Sequence, residues 1–506
     1  MRLIKVDYCK CEGPKLEDFT FRMNDLPRYV IFSHRWLSQN EHGGDVTFKE
    51  FNDSEDQIRQ AAAIRNPEKR KAEIERLGLR TPAFDKLLRA VEVARGLWAS
   101  HIWIDSCCIN RDNSSELTEA LNSMYRYYKE ADTCLVYLHD FGGSSEPYEF
   151  SNQQWFKRGW TLQELIAPKR VNFYNQNWEF IGTRSETAIA EAISKVTKIP
   201  KEALDGRIPP YEYSVAQRMS WAANRDTTRG EDMAYSLFGL FDVNLTPIYG
   251  EGAQKAFLRL QEAILSSTND MSLFAWTSNE TNEEYRGILA RSPKEFREAG
   301  NLVHRKFLGP NPEFSMTNRG LKIMPLLSKR RDDTYFMPLN CAEKRSDSAQ
   351  SLGIILAKRS PSDERLYRYK PAKLAPFDNT FVNKDYRFWL RQSETPIYIV
   401  RNERVVRRER TVSNEKVVPT NERLVPSEKA VRNERIVLKA RTTQDERIVQ
   451  RKRTGRRERT ASNEEVAQNE AWESALITEV SSWLEKPLSG DTAMELSKAG
   501  PRDPER

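Results

Sequence analysis

Three observations predict an α/β fold, a parallel sheet with flanking helices. Short apolar runs rich in β-branched and aromatic residues recur at Tyr29–Ser33, His101–Asp105, Cys134–Leu138 and Arg170–Tyr174. Runs of that length and composition suit buried strands. Amphipathic helical patterns separate them, and such alternation implies right-handed crossovers between parallel neighbours. The first three runs end in polar, ionisable residues: Ser33, His34 and Arg35, then Asp105, then His139 and Asp140. Ligands of parallel sheets gather beyond the carboxyl ends of the strands, so this edge is the expected cleft.

The elements follow in order. Pro27 and a charged cluster bound the first run. The polar stretch Glu41–Arg80 is expected as a long surface insertion with some helix. Phe84, Leu87, Leu88, Val91, Ala94, Leu97 and Trp98 fall at helical spacing. Ser114 or Ser115 can cap a helix carrying Leu117, Leu121, Met124 and Tyr128 on one side. Another helix is expected around Trp160–Ile166. Helical patterns dominate from Ser185 to Ser267, including Ala253–Leu265. Beyond Gly287, strand-like runs at Gly320–Leu327, Thr334–Leu339, Leu352–Ala357 and Pro396–Val400 are separated by turn residues. The expected organisation is an α/β domain over 1–200, a helical companion segment over 201–280, a β-rich domain over 281–400 and low-complexity charged repeats, largely disordered, over 401–506.

Those repeats account for the basic charge. Arg407–Val418 reads RRERTVSNEKVV and Arg456–Ala467 reads RRERTASNEEVA. Each unit offers two adjacent apolar residues among charges, too few to close a solenoid core. Residues 401–460 hold 19 Lys and Arg against 9 Asp and Glu, a larger excess than the whole chain's +7, so the remainder is slightly acidic. Its cations are interleaved with Glu rather than massed, which argues against nucleic acid as a partner.

No run of ~18 apolar residues exists, so no membrane span is expected. The first residues are too few and too charged for a secretory signal. Six cysteines, two adjacent at Cys107 and Cys108, form no disulfide framework. Cys9 and Cys11 lack a downstream pair to complete a zinc site, so no metal is expected. A reducing, cytoplasmic compartment fits. No phosphate-binding Gly-x-x-x-x-Gly-Lys-Ser/Thr loop occurs.

The densest motif is Arg158-Gly159-Trp160-Thr161-Leu162-Gln163-Glu164-Leu165. Glu164 lies four residues after Trp160, on one face of a helix. A carboxylate pressed on an indole is desolvated, which raises its pKa and suits it to catalysis. It equally suits a carboxylate that holds backbone N–H groups near a helix N-terminus. The residues leave both roles open.

Tyr29-Val30-Ile31-Phe32-Ser33-His34-Arg35-Trp36 resembles the opening block of the fungal heterokaryon-incompatibility (HET) domain. Trp103-Ile104-Asp105-Ser106-Cys107-Cys108-Ile109-Asn110 resembles its second block and Arg158–Leu165 its third. Thr228–Val243, Leu245–Lys255 and Ser272–Trp276 are similar to the segment that follows this domain. Two departures stand out: Ser33-His34-Arg35-Trp36-Leu37 replaces the usual Ser-Tyr-x-Trp-Gly, and Asn110-Arg111 replaces a usual Gln.

The resemblance implies a TIR/flavodoxin-like fold and a role in self/non-self recognition, with the domain triggering programmed cell death after self-association. TIR domains of plant immune receptors cleave NAD with a Glu in a Trp-Cys-Leu-x-Glu-Leu helix. By that likeness Glu164 is the candidate catalytic residue and NAD the candidate substrate, with no cofactor. Ser33, Arg35, Trp36, Asp105 and Trp160 are the candidate substrate-binding residues, Arg35 at the pyrophosphate and Trp36 or Trp160 stacked on a ring. The alternative is a non-enzymatic TIR-like module that assembles with itself. Expected partners are further copies of the chain, through the HET domain, and an unknown protein activator.

Overall fold

The first half of the chain is organised by a seven-stranded sheet. Its strands are β1 (Arg2–Lys5), β2 (Lys15–Asp18), β3 (Tyr29–His34), β4 (His101–Ile104), β5 (Thr133–Tyr137), β6 (Val171–Tyr174) and β7 (Phe180–Thr183). They stand in the order β2-β1-β4-β3-β5-β6-β7. The four expected strands form a parallel centre, with Ile31 of β3 opposite both Trp103 of β4 and Cys134 of β5, and Val136 of β5 opposite Phe173 of β6. β3 is buried along its whole length, as a central strand covered on both faces must be. Unlike the purely parallel expectation, β1, β2 and β7 add antiparallel edges. These four-residue strands are too short to show a period in the sequence.

The computed structural model describes residues 1–6, 13–20, 25–37, 43–143, 149–280, 282–304, 312–330, 332–344, 350–378, 391–392 and 397–401. All fall within one unit, Met1–Val406. Cys9, Cys11 and the charged repeats lie outside the described residues.

The 41–80 stretch holds α1 (Phe48–Asp53), α2 (Glu55–Ala62) and α3 (Pro67–Arg76). Thr47 and Glu50 close a reciprocal capping box on α1, and Asn66 caps α3, whose first residue is Pro67. This stretch is more than surface. Phe51, Ile58 and Ile74 are buried, one anchor per helix, too sparse among charges to register as an apolar stripe. α4 (Thr81–Gly96) buries Phe84, Leu87, Leu88, Val91 and Ala94 at the predicted spacing, but it ends before Leu97 and Trp98, which are exposed because the chain turns at Trp98 with a positive φ of 59°. After β4 come the single turn α5 (Asp105–Cys108) and then α6 (Ser114–Glu130). The cap of α6 is Asn113, not a serine: its Oδ1 accepts from the Ser115 and Glu116 N–H groups. Trp103 packs against Tyr127 and Tyr128 of α6 at 5.8 and 5.9 Å.

α7 (Thr161–Ile166) carries Glu164, and all six of its residues are buried. Trp160 is its N-cap rather than part of the helix. Arg184 caps the other end, donating to the carbonyls of Leu165, Ile166, Pro168 and Lys169. α8 (Thr187–Thr197), α9 (Lys201–Leu204), α10 (Val215–Ser220), α11 (Asp232–Tyr235) and α12 (Ala253–Ser267) follow. The backbone before α7 pairs with the segment after α10. Gly159 N–H donates to the Asp226 carbonyl at 2.9 Å, and Asp226 N–H to that of Lys157 at 2.7 Å.

Antiparallel strands make up the later residues, in a three-stranded and an eight-stranded sheet. The expected run Gly320–Leu327 divides between them. Gly320–Ile323 pairs with Ile397–Ile399, and Leu326–Lys329 pairs with Tyr335–Glu343. Pro325, which has no N–H to give a ladder, stands at the break. Trp276 lies between the guanidiniums of Arg368 and Arg286, at 3.8 and 4.7 Å from its ring, and joins the helical segment to this sheet. Among the described residues no helix is long and apolar enough to cross a membrane.

Candidate functional site

Ser33 and His34, adjacent on β3, point to opposite faces of the sheet. Ser33 is buried and donates its hydroxyl to Glu164 Oε2. The Ser33 hydroxyl in turn accepts from the indole N–H of Trp155 at 2.8 Å. Burial and the charge of Glu164 push up the pKa of the Tyr128 phenol of α6. The carboxyl is thereby anchored on Ser33 of β3, which Trp155 from the segment before α7 holds in turn. Burial pushes its pKa up to about 8, with the charge of Asp105 adding to the rise; the Ser33 hydroxyl, Arg158 and Arg225 oppose it. At neutral pH Glu164 is mostly an uncharged acid.

Arg225 is a buried cation whose charge acts on Glu164. Its Nη1 donates to the Arg158 carbonyl at 2.8 Å and to Thr161 Oγ1 at 2.9 Å, and its Nε to the Trp221 carbonyl at 3.2 Å. Nη2 is buried with no hydrogen-bond partner. Desolvation lowers the guanidinium's pKa to about 9, and the field of Glu164 works against that fall. Burial thus leaves the carboxyl mostly neutral at pH 7, whereas the guanidinium, titrating at about 9, keeps its charge; no hydrogen bond joins the two.

On the other face, His34 is buried with both ring nitrogens unbonded. Its Nε2 lies 3.7 Å from Asp45 Oδ2 and 3.8 Å from Asp105 Oδ1. Asp45 is engaged by Lys86 Nζ at 2.5 Å, and Lys86 also donates to the Arg35 carbonyl at 3.2 Å. Desolvation and the Lys86 charge lower His34 to about 4, against the pull of Asp45 and Asp105. A histidine held neutral gives stability that is present above its ordinary pKa near 6.5 and lost as pH falls through about 4. Urea melts between pH 7 and 4 should show a loss of about 3 kcal/mol from this residue, absent in His34→Phe.

Of the sequence-predicted residues, the structure brings Ser33 to Glu164 and Trp36 to Asp105. Trp36 Nε1 donates to Asp105 Oδ2 at 2.9 Å, and Arg111 donates to the same oxygen at 3.3 Å while stacking on the Trp36 ring at 4.2 Å. Trp160 does not supply the indole of the Glu164 network. It stands beside Asp232, which accepts from Tyr249 at 2.9 Å. Arg35 is exposed at the strand end. Sequence reasoning missed Trp155, Arg111, Arg225 and Asp232 as site residues. Asp232 lay within the downstream segment already singled out, and Arg111 was noted only as a departure from the usual motif.

The class follows from these blocks and their arrangement. Residues 29–149 match the model of the heterokaryon incompatibility protein (HET) family, and this chain carries a HET domain. The match includes Ser33, Arg35, Trp36 and Asp105 and ends before Trp160 and Glu164. Residues 255–326 match a domain of unknown function, DUF8212. Vegetative incompatibility protein HET-E-1 of Podospora anserina is 40% identical over 247 residues, which cover 47% of this chain and 16% of that protein. The chain thus spans about a sixth of the length of this curated relative. No solved structure matches it significantly.

Proposed function

We propose that this chain acts in vegetative incompatibility, as a cytoplasmic self/non-self recognition protein whose HET domain triggers programmed cell death. The HET match and the likeness to a vegetative incompatibility protein support the reading. Its partners are further copies of the chain and a protein activator. The parallel strands stand as β4-β3-β5-β6, the first four positions of the flavodoxin-like order, which supports kinship with the TIR fold.

The chemistry proposed is NAD hydrolysis at Glu164, carried by one observation: a desolvated carboxyl beside the carboxyl ends of the parallel strands. The nicotinamide–ribose bond breaks with its electron pair passing to the pyridinium nitrogen, which leaves as neutral nicotinamide. Positive charge develops on the ribose, where an ionised Glu164 stabilises it. Water adds at the anomeric carbon and releases its proton. Because the acid is uncharged at rest, activity of the full chain should rise with pH through about 8 as the carboxylate forms. Nicotinamide release at pH 7 and 9, by parent and Glu164→Gln, tests this; equal release by the two would remove Glu164 from the chemistry.

One observation favours the second reading, a self-assembling module without catalysis. Glu164 is buried and held by Ser33 as a core anchor would be. Cell killing on overexpression of Glu164→Gln, undiminished from the parent, would establish that reading.

A further inference from the structure

Trp155 is engaged at both its ends. Its indole N–H donates to the Ser33 hydroxyl at 2.8 Å, and its backbone carbonyl accepts from the Thr161 hydroxyl at 2.6 Å. Each of these hydroxyls has a further partner. Ser33 donates to Glu164 Oε2, and Thr161 accepts from Arg225 Nη1 at 2.9 Å. All five residues are buried. An unbroken series of hydrogen bonds thus leads from Arg225, just after α10, to the Glu164 carboxyl, passing through the two ends of one residue.

The direction of every link is fixed, because a guanidinium and an indole N–H can only donate. Arg225 therefore makes Thr161 an acceptor. The one Thr161 proton goes to the nearer carbonyl, that of Trp155 at 2.6 Å rather than that of Arg158 at 3.0 Å. The Arg158 carbonyl is served instead by the same Arg225 nitrogen, at 2.8 Å. The Trp155 indole likewise makes Ser33 an acceptor and leaves the one Ser33 proton for Glu164. Bonds aligned in this way polarise one another, so each strengthens the next. Without the indole N–H, the Ser33 hydroxyl would be free to rotate away from the carboxyl.

We infer that Trp155 is a positioning residue for Glu164, seated by Thr161 and Arg225 and steering the Ser33 hydroxyl onto the carboxyl, so that the segment after α10 controls how that carboxyl is presented. Ser33 and Trp155 act through Glu164 and need touch no substrate. A hydrogen bond donated to a carboxylate favours its ionised form, so the relay works against the burial that keeps Glu164 an acid at neutral pH. The charges of Asp105, Arg158 and Arg225 act on the same carboxyl, and Glu164 acts in turn on the buried Tyr128 phenol and Cys134 thiol. The inference deepens the proposed reaction and rests on it for what the carboxyl does, but not for how it is held.

The test is chemical denaturation of the full chain from pH 5 to pH 10. Each variant is compared with the same variant carrying Glu164→Gln, so that the difference reports the titration of Glu164 alone. In the parent that difference should fall as pH rises and level off once pH passes about 8. Trp155→Phe keeps a ring and drops the N–H; it should raise the levelling point by about half a pH unit. Ser33→Ala should raise it by about one unit, a tenfold change in the proton affinity of the carboxyl. Thr161→Val should move it in the same direction, and Thr161→Ser, which keeps the hydroxyl, should leave it at the parent value. A levelling point unmoved in Trp155→Phe overturns the inference, because loss of packing alone changes stability without moving that point. One unmoved in Thr161→Val overturns the reach from Arg225. Shifted levelling points in a chain that releases no nicotinamide uphold the relay and count against the hydrolysis reading alone.

Discussion

Glu164→Gln should unfold at higher denaturant than the parent at pH 9 and lose that advantage as the pH falls toward 4.5. The folded carboxyl titrates at about 8 against an ordinary value of 4.5, because burial penalises the charged form. A carboxyl whose folded pKa is raised gives stability that is complete below its unfolded pKa. That stability is lost as pH rises through the folded pKa. The window is therefore pH 4.5 to about 8, and the shift corresponds to about 5 kcal/mol across it. Glutamine has the same volume and stays uncharged, and its carbonyl can accept from Ser33 as the acid does. Chemical denaturation of parent and variant at pH 5, 7 and 9 reads the effect directly. Two stability profiles running parallel across that range would show that Glu164 does not carry the shift. A variant more stable than the parent yet unable to release nicotinamide would show a residue kept for chemistry at the expense of the fold.

What the sequence discloses follows from the length and regularity of each signal. β3 to β6 announce themselves because a strand buried on both faces must be a continuous apolar run, and α4 because five apolar residues keep its period. The edge strands do not, since Leu3 and Ile4 are the only apolar residues of β1. Ser33 and Glu164 are legible because both lie in compact motifs, yet their contact joins residues far apart in sequence through the sheet. The indole was misassigned for a physical reason. Helical spacing puts Trp160 and Glu164 on one face, but Trp160 caps the helix and turns to Asp232, so Trp155 takes the inner position. Arg225 left no local signal at all. Its role depends on a backbone bridge that brings residues 225 and 226 back to 157–159, and no periodicity encodes such a return.

That bridge should fail on addition of one methyl group. A Cβ on Gly159 would stand 2.5 Å from Thr227 Cγ2 and 3.3 Å from Ser236 Oγ, so Gly159→Ala must push the two segments apart. Overpacking of this kind costs about 1–3 kcal/mol. The displaced backbone includes the Arg158 carbonyl that Arg225 holds at 2.8 Å, so the cation beside Glu164 moves with it. Loss of nicotinamide release or of cell killing should then exceed what the fall in stability alone explains. The clash is with a methyl carbon, which makes rescue possible. Thr227→Ser removes that carbon and keeps the hydroxyl that donates to the Arg229 carbonyl at 2.6 Å. In a double-mutant cycle the pair should recover most of the lost stability, a positive coupling that two independent lesions would not give. Coupling near zero would mean that the approach of Gly159 to residues 226–227 does not seat Arg225. With coupling and activity restored together, the segment beyond the HET match becomes part of the working site, because it positions a buried cation that opposes the discharge of Glu164.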